Sequence, residues 1–91
     1  MEKILTFDGT GAALQGEEVL KEAGIPVRVM ARPNSLGAQC GFCLRLDPET
    51  LEIGLKTLKA SRIQVKGVYD QVQGPSGLWE YRPTLNEPNL D

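Results

Sequence analysis

The sequence predicts an α+β domain of the ferredoxin-like, split-βαβ type. That means a four-stranded antiparallel sheet with two helices on one face, followed by a Pro/Gly-rich C-terminal tail. Three observations lead there. Short β-type runs and two helical segments follow one another in the order β-α-β-β-α-β. The helical segments are punctuated, with Gly24 after the first and Asp47-Pro48 before the second. The run from Phe42 to Leu46 alternates apolar residues with Cys43 and Arg45, as a strand with two unlike faces does.

Taken in order, Lys3 to Phe7 is a short strand, broken by Asp8-Gly9-Thr10-Gly11. Asp8 or Thr10 can cap the helix that follows, since a side-chain oxygen accepts from the first-turn N–H groups. Ala12 to Ala23 is that helix, with Ala13, Val19, Leu20 and Ala23 on one stripe and Gln15, Glu17, Glu18, Lys21 and Glu22 toward water. Ile25 to Ala31 is the second strand, and Pro26 suits its entry. Residues 32–39 form a loop rich in turn residues, and Gly41 to Leu46 is the third strand. Asp47 caps the second helix, Pro48 fits its first turn, and Leu51, Leu55 and Leu58 line one face of it as far as about Ala60. Gln64 to Tyr69 is the fourth strand. From Asp70 onward Gly74, Pro75, Gly77, Pro83 and Pro88 punctuate a tail that holds Trp79 and Tyr81. The division is therefore a domain over residues 1–70 and a tail over 71–91.

Strand alternation sorts the residues between two faces. Phe42, Leu44 and Leu46 belong with the helices, as do Val27, Val29 and Ala31. Cys43, Arg45, Arg28 and Met30 belong to the open face, with Lys66 as a further candidate there. Cationic neighbours favour a thiolate, so this grouping makes Cys43 a candidate for thiol chemistry.

Composition narrows the classes. The chain has 91 residues, 41% hydrophobic and 24% charged, the profile of an ordinary globular domain. A net charge of −2 gives no basic footprint for nucleic acid. No apolar run approaches the roughly 20 residues of a membrane helix. The first residues run directly into a strand with no export-signal layout, so the expected compartment is the reducing cytoplasm. A domain this short buries only about 60–65% of its unfolded surface. A homodimer or larger assembly through the open sheet face or the tail is therefore expected, using Ile4, Met30 and Trp79.

The chemistry centres on Cys40-Gly41-Phe42-Cys43. These are the only two cysteines, and there is no histidine to serve as a neutral-pH base. Cys40 sits where loop meets strand, and Gly41 leaves room beside it for an incoming chalcogen atom. Cys40 is expected to be the more reactive thiol. The pair is not expected to close a disulfide at rest. In an extended segment Cα atoms three residues apart are ~10 Å distant, beyond the ~7 Å a disulfide tolerates. A structural zinc site needs four ligands, and one chain supplies two thiolates, so no metal is expected.

The run Leu14 to Val29, the loop with Arg32-Pro33, and Cys40-Gly41 ahead of the apolar Phe42 to Leu46 together resemble the selenium/sulfur (Se/S) carrier protein-like family of small bacterial proteins. The resemblance covers roughly Ile4 to Tyr69. It implies a carrier that holds sulfur or selenium on Cys40 as a persulfide or selenosulfide, with donor and acceptor proteins as partners and no cofactor. Cys40 matches the family's cysteine. Cys43 stands where a small or apolar residue is usual, and would assist or resolve. Gly41, Arg45, Arg28 and Arg32 are the candidate binding residues around the thiols. Two other classes stay open on the residues: a non-catalytic binding or oligomerisation module, and a dithiol redox protein.

Overall fold

The computed structural model describes residues 2–31 and 41–83. It is an α+β structure with two helices and one antiparallel sheet. The strands are β1 (Glu2–Thr6), β2 (Arg28–Ala31), β3 (Phe42–Leu46), β4 (Gly67–Gln73) and β5 (Trp79–Pro83), and the helices are α1 (Thr10–Glu22) and α2 (Leu51–Ala60). The sheet order is β2-β3-β1-β4-β5, so the first strand in the chain lies at the centre.

The sheet has five strands where four were expected. Residues expected in the tail extend β4 to Gln73 and form β5, which pairs back on it from Tyr69↔Pro83 to Gln73↔Trp79. Gly74, Pro75 and Gly77, expected as tail punctuation, make the turn of a hairpin. Gly74 N–H donates to the Leu78 carbonyl at 2.8 Å, and Gly77 takes the left-handed conformation at φ +85°. Gln64 lies outside any strand, while Ile63 and Val65 are buried in the segment leading to β4.

The main core lies between the sheet and the helices. Leu5, Phe7, Leu44, Leu46 and Val68 meet Ala13 and Leu20 of α1 and Leu51, Leu55 and Leu58 of α2. Two glycines let the helices approach. A Cβ on Gly16 would stand 3.3 Å from a Leu44 methyl, and one on Gly54 would stand 3.0 Å from a Leu46 methyl. At the margin of this layer Lys3 of β1 pairs with Asp70 of β4, both partly buried.

Neither expected side-chain cap forms. Gly9 precedes α1 with no side-chain bond, and Asp8 instead pairs with Lys66 at 3.6 Å. Asp47 also makes no side-chain cap bond. Its carbonyl accepts from the Thr50 N–H and hydroxyl, both at 3.1 Å, and a turn of 3-10 helix over Pro48–Thr50 leads into α2.

The helices end alike. After α1, Gly24 N–H donates to Lys21 and Ile25 N–H to Leu20, with Gly24 at φ +78°. After α2, Arg62 N–H donates to Lys59 and Ile63 N–H to Leu58, with Arg62 at φ 62°. Each is a Schellman termination followed by an isoleucine that returns to the core. The first uses the residue suited to the left-handed position and the second does not.

Candidate functional site

β3 presents its side chains alternately to two environments. Leu44 and Leu46 lie under the helices, and Cys43 lies on the opposite face, as the alternation predicts. Phe42 shares the parity of Leu44 but stands at the strand's end and is exposed. β2 runs antiparallel beside β3, which sets Met30 opposite Cys43 and Arg28 opposite Arg45.

The environment of Cys43 differs from the one expected. Its side chain is fully buried, and so is Ile4 beside it. Met30, Tyr69 and Tyr81 pack against this pair. The cover comes from β4 and β5: Tyr69, Gln71 and Tyr81 project to this face, and the Gln71 amide donates to the Tyr81 hydroxyl at 3.2 Å. The Cys43 sulfur faces the Ala31 carbonyl at 4.0 Å. The face is thus not open at its centre, and Ile4 is not available there for assembly. Lys66 pairs with Asp8 and does not gather with the two arginines.

Arg45 is half-buried and Arg28 exposed. They line a concavity of about 400 Å³ at the end of the sheet, together with Glu2 and Asp47. Sequence reasoning missed these carboxylates because they lie far apart in the chain and on the outer residues of β1 and the turn after β3.

Gly41 is exposed, and a Cβ built on it would meet nothing within 4 Å. Cys40 and Arg32 lie outside the described residues, as does the separation between the two sulfurs. Tyr69 and Gln71 are residues of this face that the sequence did not single out, while Tyr81, one of the two aromatics noted in the tail, packs onto it. The signal available was period-two alternation of Tyr69, Gln71 and Gln73 on β4 and of Trp79 and Tyr81 on β5.

The fold and the cysteine-bearing strand define a small α+β protein with Cys43 on β3, an inner strand of the sheet. The sequence model of the family described as "Putative Se/S carrier protein-like" matches residues 2–70, and the chain belongs to that family. No curated protein and no solved structure matches the chain. Among the described residues, no helix is long and apolar enough to cross a membrane.

Proposed function

We propose that this protein carries sulfur or selenium on Cys40 as a persulfide or selenosulfide and hands it to a second protein. The observation that carries the reading is family membership over residues 2–70, joined to the contrast between an exposed Gly41 and a fully buried Cys43. A carrier nucleophile needs access as well as thiolate character. Exposure of the backbone beside Cys40 supports that access, and burial among Ile4, Met30, Tyr69 and Tyr81 supports a packing role for Cys43.

The transfer is an exchange. The Cys40 thiolate attacks the terminal sulfur of a donor persulfide, a new S–S bond forms, and the donor leaves as a thiolate. Release to an acceptor thiolate reverses the roles, so no external oxidant or cofactor enters. Donor and acceptor are proteins in this reading, the compartment is the reducing cytoplasm, and the scaffold is ferredoxin-like with β5 added beside β4.

Assembly as a homodimer belongs to the same proposal. β5 is an edge strand, and Leu78 and Trp79 at its start are 71% and 57% exposed. An exposed strand edge with apolar side chains favours pairing with another chain.

The test is intact mass after incubation with a cysteine desulfurase and cysteine. A gain of about 32 Da, one sulfur atom, that maps to Cys40, disappears in Cys40→Ser and survives in Cys43→Ala is the expected result. Loading that follows Cys43 instead overturns the assignment.

A further inference from the structure

Arg28 and Arg45 face each other in register across β2 and β3. Like charges directly opposite on a sheet face repel. They share their concavity with two carboxylates, Glu2 and Asp47. Among the described residues none of these four side chains is in an ion pair, although five other pairs form elsewhere in the structure. Two cations and two anions therefore line one cavity without a direct ion pair between them.

The charge balance selects the ligand. A simple oxyanion would suit the arginines but would be repelled by the carboxylates, and a simple amine would meet the reverse problem. A molecule with both charges on neighbouring atoms satisfies both sets. Guanidinium groups engage a carboxylate through charge-assisted hydrogen bonds, and carboxylates receive an ammonium in the same way. Pro26 and Val27 add the apolar part of the wall. The volume of about 400 Å³ falls in the range of small-molecule sites, roughly 300–1,000 Å³.

We propose that this cavity binds a free α-amino acid, with its carboxylate on Arg28 and Arg45, its ammonium on Glu2 and Asp47, and an aliphatic or thioether side chain against Pro26 and Val27. The site needs neither cysteine and stands apart from the carrier reading.

The experiment compares three matched probes on the full-length protein by calorimetry and by backbone-amide NMR shifts. L-norvaline carries both charges, pentanoate lacks the ammonium, and butylamine lacks the carboxylate. L-norvaline is expected to bind at least about tenfold more tightly than either analogue, as the loss of a charge-assisted contact implies. The shifts are expected at Val27, Arg28 and Arg45. Arg45→Gln and Asp47→Asn are each expected to weaken L-norvaline by about tenfold, while Cys40→Ser leaves its binding unchanged. Equal binding of pentanoate and L-norvaline would overturn the proposal in favour of a plain anion site. Absence of saturable L-norvaline binding, or shifts located elsewhere, would overturn it outright. Loss of sulfur loading in Cys40→Ser with L-norvaline binding intact separates this site from the carrier function.

Discussion

Ile4 of β1 and Cys43 of β3 are buried together on the sheet face turned away from the helices, roofed by Met30, Tyr69 and Tyr81. The contact gives the second cysteine of the motif an apolar setting. Limited iodoacetamide labelling of the native protein is therefore expected to modify Cys40 and leave Cys43 untouched until denaturant is added. Cys43→Ser places a hydroxyl in this cluster and is expected to cost about 1–3 kcal/mol, more than Cys43→Ala. Urea denaturation measures both. A serine variant as stable as the alanine variant would show that the cluster is not apolar in solution.

The roof itself can be tested. Tyr81→Phe removes the acceptor of the Gln71 amide, whose residue is buried. The expected loss is about 1 kcal/mol in urea unfolding. Tyr81→Ala should in addition speed the labelling of Cys43, because it opens the cover and not only the hydrogen bond. Unchanged Cys43 protection in that variant would mean that β5 does not shield the thiol.

Arg62 holds the left-handed position that Gly24 occupies at the end of the other helix. A side chain there costs about 1–2 kcal/mol, and a glycine gives back part of that in unfolded-chain entropy. Arg62→Gly is expected to stabilise the protein by about 0.5–1 kcal/mol, read as a raised denaturation midpoint at constant slope. Gly24→Ala should do the opposite by a similar amount.

The close approach at Gly54 sets a limit on helix propensity. Alanine gains about 1 kcal/mol in a helix interior, but its Cβ would stand 3.0 Å from a Leu46 methyl that is itself buried. Overpacking costs about 1–3 kcal/mol, so Gly54→Ala is expected to be destabilising. Gly16→Ala meets Leu44 at 3.3 Å and should come out near neutral. Thermal melts of the two variants give the comparison, and a stabilised Gly54→Ala would contradict the packing described.

Alternation made the faces of β3 legible, since Leu44 and Leu46 could only turn together and Cys43 the other way. The amphipathic spacing of Leu51, Leu55 and Leu58 gave the second helix in the same way. β5 escaped because Gly74, Pro75, Gly77 and Pro83 carry the same composition whether they belong to a tail or to a hairpin. The distinction lies in Gly77's left-handed turn and in pairing with β4, and pairing is a long-range property. For the same reason the setting of Cys43 differs from the one alternation predicts. Alternation puts Arg28, Arg45 and Met30 around it, with Lys66 as a further candidate, whereas its cover comes from Tyr69 of β4 and Tyr81 of β5, whose pairing is set at long range. Helix caps were a third miss: Asp8 and Asp47 have the right chemistry, but Asp8 is drawn to Lys66 and Asp47's carbonyl, not its carboxylate, bonds Thr50.

The central position of β1 has a consequence for how the chain is made. It is the first of the five strands to be synthesised, yet its partners are Leu44 to Leu46 on one side and Gly67 to Gln71 on the other. The Lys3–Asp70 contact spans 67 positions of sequence. Such non-local closure slows folding, because chain entropy is lost before contacts repay it. A nascent chain halted before β4 would hold a middle strand with a partner on the β3 side only. Synthesis therefore has to run nearly to the end of the sheet before cooperative folding can begin, and until then both thiols are exposed to whatever the cell presents to them.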